Sequence, residues 1–385
     1  MLGGVRVLDL TSVLMGPFAT QILGDLGADV IKVESPEGDI VRRYQPARNV
    51  GMPGIFLNLH RNKRSIVLDL KTPEGAATLK RMIATADVLV HSIRAQAMER
   101  LGFGPDAVCA LNPRLIYCMA NGFRHDGPYA DKAAYDDVIQ AGAGLTELIG
   151  RVNGSPEYVP TALCDKVAGT AIAWSVLAAL YHRERTGEGQ VVEVPMFETN
   201  VAFNLVEHMA GRSFVPPVGE TGFARYMTRN RRPYQTRDGH VCILPYTEKN
   251  WREFFAGIGR EEVLQDPRFC DFTSRIDNID ALYAILAECA LERTTDEWVA
   301  YCDSISIPSM AVKRFDDLWT DPHLQEIGFF ETREHPSEGQ YSNIGMPVKF
   351  SRGSTELRRP APRLGEHGAE ILAELDSIEK SARAG

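Results

Sequence analysis

The chain opens on short β-branched runs joined by stretches of helical spacing. Residues 5–10 read as a strand, 17–26 as a helix entered through Pro17, and 29–34 as the next strand. The alternation continues with a strand at 65–70, a helix at 73–86, and strands at 87–91 and 114–119. Strands linked by helical segments in this way predict right-handed βαβ units and a parallel sheet. A long helix rich in Ala and Leu is predicted over about 166–185; it breaks at Thr186-Gly-Glu-Gly189, and 190–194 reads as another strand. Residues 216–233 mix Pro, Gly and Arg without periodicity, which marks a linker. Beyond it come a turn at 234–239, a strand at 240–244, a helical stretch from Trp251 to about Ser304, and an extended arm at 358–363 before a last helix.

At 385 residues the chain is long enough for two or three domains. Its 42 Lys+Arg against 51 Asp+Glu leave a net charge of −9, which argues against a nucleic acid partner. An anionic ligand must then be held by a local basic cluster. The N-terminus lacks the basic-then-apolar order of a secretory signal, and the longest uncharged apolar-rich stretch, 167–181, falls short of the ~18 residues of a membrane span. Seven cysteines without any C-x-x-C pair fit a reduced, cytoplasmic protein, and support neither a zinc site nor a disulfide framework. The start is that of a dinucleotide-binding fold, but the loop Thr11-Ser-Val-Leu-Met-Gly16-Pro17 holds one glycine where the G-x-G-x-x-G fingerprint needs three. No nucleophile elbow, P-loop or metal-ligand spacing of the histidines is present, so no metal is expected.

Asp165 stands at the start of the long helix and has two readings. One is a helix N-cap. The other is a nucleophilic carboxylate, workable against an activated electrophile such as a thioester and kept ionised at neutral pH by the helix N-terminus. His60-Arg-Asn-Lys-Arg64 puts three cations in what reads as a loop before a strand, either a solvated loop or a phosphate grip. Arg225, Arg229, Arg231 and Arg232 are either a solvated linker or a clamp for a carboxylate.

Four segments together resemble the family III CoA-transferases, the group of formyl-CoA and carnitine CoA-transferases and the bile-acid-inducible F proteins. They are Val7–Thr11 with Gly16-Pro-Phe-Ala19 and Leu26–Glu34; Arg61–Ser65 with Leu68–Gly75; Gly127-Pro-Tyr-Ala130 with Tyr135-Asp136 and Gln140-Ala141; and Asp165, Ala168-Gly169 and His182–Gln190. The resemblance runs over nearly the whole chain. It implies a CoA-transferase that moves CoA from an acyl-CoA to a carboxylic acid through aspartyl anhydride and aspartyl-CoA thioester intermediates, with Asp165 as the catalytic residue. It places CoA contacts at Val13, Arg61, Lys63, Arg64, Leu68, Lys71 and Arg100. Candidate substrate contacts are Tyr135, Gly142 and Gly144, the glycines for close backbone approach, and Arg229 and Arg231 under the carboxylate-clamp reading. Two departures are Ser92-Ile93, where the family commonly has Asn-Phe, and Ser35, where some members carry an Arg.

The implied fold is α/β: a large Rossmann-like CoA-binding domain, residues 1–220 with 330–385, and a smaller α+β domain, 225–325, in an interlocked homodimer. The substrates are acyl-CoA and a carboxylic acid. No tightly bound cofactor, metal, nucleic acid or membrane is expected. The rival within the superfamily is a 2-methylacyl-CoA racemase, which needs two acid/base groups near neutral pKa. The racemases have a His where this chain has Tyr135, and an acidic residue where it has Glu248. A non-catalytic CoA-binding protein is the remaining alternative.

Overall fold

The computed structural model describes residues 1–384. Six strands, β1 (Arg6–Leu10), β2 (Asp29–Glu34), β3 (Lys63–Val67), β4 (Val88–His91), β5 (Ile116–Asn121) and β6 (Gln190–Pro195), form one parallel sheet in the order β3-β2-β1-β4-β5-β6. The helices before β6 are α1 (Met15–Asp25), α2 (Gly54–Leu59), α3 (Pro73–Ala84), α4 (Ala95–Arg100), α5 (Pro105–Leu111), α6 (Asp136–Gly142), α7 (Leu145–Asn153) and α8 (Leu163–Thr186). After β6 come α9 (Met196–His208), α10 (Glu248–Ala256), α11 (Phe272–Asp277), α12 (Ile279–Ala290), α13 (Thr295–Ser304), α14 (Pro322–Glu326) and α15 (Gly368–Ala384). A three-stranded antiparallel sheet, β7 (Tyr234–Gln235), β8 (His240–Ile243) and β9 (Ser309–Ala311), and a hairpin, β10 (Phe330–His335) and β11 (Gly339–Ile344), complete the elements.

Alternate residues of the central strands feed two cores, because successive strand side chains point to opposite faces. Val7, Val30, Val88 and Ile116 face α1 and α8, whereas Leu8, Ile31, Leu89 and Tyr117 face α3, α5 and α15. Both chain ends therefore build the same layer structure. Local signals set the helix ends. Thr72 caps α3 by accepting the Gly75 N–H at 3.1 Å, with Pro73 in the first turn, and α8 stops at Gly187, whose φ of 82° suits glycine. Within α8 the residue that decides the packing is Gly169: a Cβ there would lie 2.6 Å from the Met15 carbonyl oxygen. Only glycine lets α8 approach the first turn of α1 this closely. By length and composition α8 could also cross a bilayer, but half of its apolar window is buried inside the protein.

The chain divides into two compact units. The first comprises Met1–Ala143, Val159–Phe203 and the chain from His323 on; the second comprises Gly144–Tyr158 and Asn204–Pro322. The boundaries differ from the expected 220 and 330, and α7 belongs with the second unit. That unit has its own core, in which Trp251, Phe254, Phe255, Leu282, Leu286 and Trp298 pack together behind β8.

Candidate active site

The first unit's strand order reverses between β1 and β4, and in open α/β sheets the crevice beyond the carboxyl ends at such a switch point is where ligands bind. A cavity of about 490 Å³ lies there. Its walls are the segments that leave the strands: Ser12–Gly16 after β1, Ser92 and Arg94–Gln96 after β4, Asn121–Phe123 after β5, and Met196 after β6. Residues 130–135 and Asp165 close it.

Asp165 sits in the first turn of α8, with Ala162 as the N-cap, so it is not itself the cap. Its backbone N–H donates to Asp136 Oδ1 at 2.9 Å. Asp136 is in turn held by Gln140, whose Nε2 donates to Asp136 Oδ2 at 2.6 Å and whose Oε1 accepts the Val159 N–H at 2.9 Å. From the other side Asn200 Nδ2 donates to the Cys164 carbonyl at 3.2 Å. The start of α8 is thus fixed by α6 and α9. Burial, and then the charge of Asp136, push the Asp165 carboxyl up to about 7. The helix N-terminus is expected to keep it ionised at neutral pH; partial burial beside a second carboxylate opposes that.

Of the residues singled out in the sequence, Val13, Tyr135 and Asp165 meet in this one cavity. Tyr135 is 67% exposed and precedes α6. Val13 has a φ of 69°, a left-handed conformation that a β-branched residue adopts only when its surroundings enforce it.

The basic run 61–64 is placed differently from the expectation. Lys63 and Arg64 belong to β3, and all three cations are buried in ion pairs: Arg61 with Asp25 at 2.6 Å, Lys63 with Asp9 at 3.0 Å, and Arg64 with Asp29 at 2.7 Å and Glu374 at 2.6 Å. Their charges are neutralised internally, and none lines the cavity. Leu68 turns into the core, while Lys71 and Arg100 are exposed. Gly142 ends α6 and Gly144, at φ 82°, precedes α7; neither borders the cavity.

In the second unit Arg229 donates to the Val152 carbonyl at 2.9 Å, Arg231 lies over the Tyr226 ring at 4.1 Å, and Arg225 bonds the Tyr283 hydroxyl at 3.1 Å. Glu248 is paired with Arg275.

Three basic residues on the cavity wall were missed: Arg94, His125 and Lys132. Lys132 Nζ lies over the Tyr129 ring at 3.8 Å, and His125 Nδ1 pairs with Glu193 at 2.7 Å. They form no run in the sequence. The signal that finds them is position: Arg94 comes three residues after β4 and His125 four after β5.

Residues 2–368 match the sequence model of CoA-transferase family III. The chain is 32% identical to the succinate–glutarate CoA-transferase of Agrobacterium fabrum, over 99% of this chain and 97% of that protein. It is likewise 32% identical to a formyl-CoA:oxalate CoA-transferase of Escherichia coli, over 97% of this chain and 95% of that one. Among solved structures, Rv3272 from Mycobacterium tuberculosis superposes with a TM-score of 0.83 at 31% identity, covering 96% of this chain and 98% of that chain.

Proposed function

The chain belongs to CoA-transferase family III and is an enzyme that transfers CoA; from that premise we propose that Asp165 is its nucleophile and the switch-point cavity its acyl-CoA site. The observation that carries this reading is the convergence of Asp165, held by α6 and α9, with the strand-end segments of the sheet on one cavity. The Asp165 carboxylate attacks the thioester carbonyl; the C–S bond breaks, leaving an aspartyl–acyl anhydride and CoA thiolate. The thiolate attacks the aspartyl carbonyl, which releases the donor acid and leaves an aspartyl-CoA thioester. The acceptor carboxylate attacks that thioester and becomes the second anhydride, and the thiolate then takes the acceptor's acyl group and frees Asp165. Arg94 and Lys132 supply positive charge on the cavity wall for the phosphates of CoA, with Lys71 and Arg100 further candidates.

Relatives named for succinate, glutarate and oxalate support a small dicarboxylic acid as acceptor. The first unit is read as a Rossmann-like CoA-binding domain, which its strand order supports. The protein is read as a cytoplasmic, interlocked homodimer. Trp174 and Tyr181, exposed along α8 at 61% and 65%, support a covered face there. A monomer persisting at micromolar concentration in sedimentation would refute the dimer.

Two experiments test the chemistry. Asp165→Ala abolishes transfer and leaves CoA binding intact, and mass spectrometry of wild type incubated with acyl-CoA finds a CoA adduct on the peptide carrying Asp165. Turnover by the Ala variant would end the assignment. One observation favours the racemase: a carboxyl near 7 suits a general base, and His125 lies on the same cavity. Under the transferase reading, wild type incorporates no deuterium at the α-carbon of a 2-methylacyl-CoA in D₂O. Incorporation at a rate comparable with turnover would make Asp165 a base and His125 the next residue to replace.

A further inference from the structure

Beneath the cavity wall built by residues 12–16 lies a set of charged side chains that the reaction does not use. Asp9, Lys32 and Lys63 are essentially inaccessible to solvent, and Asp39 is 5% exposed. Burying two ammonium groups is costly unless carboxylates and hydrogen bonds meet each of them. Here both are met, and the bonds go largely to one stretch of backbone. Lys32 Nζ donates to the Thr11 carbonyl at 2.9 Å and pairs with Asp39 at 3.0 Å. Asp39 Oδ1 accepts the Val13 N–H at 3.3 Å and the Val41 N–H at 3.1 Å. Asp9 Oδ1 accepts the Thr11 N–H at 3.0 Å, and its Oδ2 pairs with Lys63, which donates to the Pro17 carbonyl at 2.9 Å.

The loop is also closed on itself. Thr11 packs where a Cβ on Gly16 would sit, 2.3 Å away, so that no larger residue fits. Between these tethers Val13 holds its left-handed φ of 69°. A strained β-branched residue persists only where the surroundings over-determine it, and the tethers at Thr11, Val13 and Pro17 are what over-determine it.

We propose that Lys32 and Asp39 are positioning residues for acyl-CoA: they hold the Thr11–Val13 turn in the strained form that presents residues 12–16 to the ligand. The proposal rests on the reading of this cavity as the acyl-CoA site. It separates the role of these groups from that of Asp165, which is positioned by α6 and α9. The loop should therefore govern binding more than the chemical step, because fixing a wall in advance lowers the ordering cost of binding.

The test replaces the pair together. Lys32→Met with Asp39→Ala removes one charge of each sign, which avoids stranding a buried ion, and it deletes the bonds to Thr11 and Val13. Asp39→Ala alone is the second variant, in which Lys32 still faces Asp9 and Glu34. Asp39→Asn is the intermediate variant: its amide oxygen still accepts the Val13 N–H, but its NH₂ replaces the oxygen that pairs with Lys32. Thermal melts establish folding; calorimetry with CoA and steady-state kinetics give the readout. The double variant and Asp39→Ala should weaken CoA binding and raise KM for acyl-CoA ~10-fold, about 1.4 kcal/mol, with kcat within about threefold of wild type. Asp39→Asn, which keeps the acceptor for Val13 but loses the partner of Lys32, should fall between wild type and Asp39→Ala. Folded variants that bind CoA within twofold of wild type, or that lose kcat with CoA affinity unchanged, overturn the proposal. Failure of wild type to bind CoA would instead overturn the reading of the cavity.

Discussion

Replacing Asp165 by Asn should stabilise the protein, and by an amount that depends on pH in a defined way. The carboxyl stands at an ordinary 3.8 in the unfolded chain and about 7 in the folded one, first because it is buried and second because Asp136 is close. An acid whose value is raised by folding costs stability once it ionises. Below pH 4 both states hold the proton and there is no cost. From pH 4 to 7 the unfolded chain ionises while the folded one resists, so the cost accumulates; above 7 it is constant. About 3 pH units at 1.36 kcal/mol each set a ceiling of about 4 kcal/mol. Asp165 is only partly buried, and solvent screening brings the expected value to roughly 1–2 kcal/mol. Asn keeps the shape and the backbone bond to Asp136 without ionising. Paired melts of wild type and Asp165→Asn, recorded from pH 5 to 8.5, should show a difference in Tm that grows up to about pH 7 and then flattens at a few degrees, at ~2–4 °C per kcal/mol for a unit this large. Taking the difference cancels the other titrating groups. A Tm difference that is the same at pH 5 and pH 8.5, or a wild type more stable than the variant at pH 8.5, would refute the reasoning.

The same carboxyl should put an acid limb on the pH profile of kcat/KM near pH 7, falling tenfold per pH unit below it; Asp136→Asn should move that limb to lower pH, and an unmoved limb would remove Asp136 from the account. Gly169→Ala brings a Cβ to 2.6 Å from the Met15 carbonyl oxygen and should destabilise by about 1–3 kcal/mol in denaturant titrations while weakening CoA binding, since Met15 lines the cavity. Arg64→Ala should cost about 1–2 kcal/mol through its own lost charge-assisted bonds, because Asp29 and Glu374 are partly exposed and keep Arg6, yet leave the affinity for CoA within twofold of wild type. A tenfold loss of affinity in a folded Arg64→Ala enzyme would return that arginine to the ligand.

What could be read from the sequence was what period and punctuation encode. Alternating β-branched runs placed the strands of the sheet to within a few residues, and the Ala-rich stretch before Thr186-Gly187 placed α8. The boundary of β3 is where local reading failed with consequence. Lys63 and Arg64 look like loop residues because strands of buried sheets are normally apolar. They are strand residues because Asp9 and Asp29, 54 and 35 positions away, neutralise them. Nothing local marks a cation as buried; its partner does, and the partner is set by topology. The hairpin of β10 and β11 was missed for a related reason, since its polar, partly exposed residues leave little alternation of apolar side chains to read. The passage of Gly144–Tyr158 into the second unit has no compositional signature at all.

The site shows the same division between local and non-local information. Asp165 and Tyr135 stand in motifs and Val13 at a position the family resemblance assigns, all where the chain leaves one element and enters another. Arg94, His125 and Lys132 are equally close to the cavity but belong to different strand ends, and only the switch in strand order brings them together. Their placement bears on Asp165 under the proposed transferase reading. A carboxyl near 7 is only half ionised at neutral pH, and a ligand carrying several phosphate charges would raise it further if those charges were unmet. On the proposed reading of this cavity, Arg94 and Lys132 on the same wall would meet them with positive charge. Burial and the Asp136 charge set the pKa of the Asp165 carboxyl, so under the transferase reading the thioester would meet a weakly solvated, partly protonated group. The low-pH cost of that arrangement is the acid limb; its cost in stability is the gain expected of Asp165→Asn.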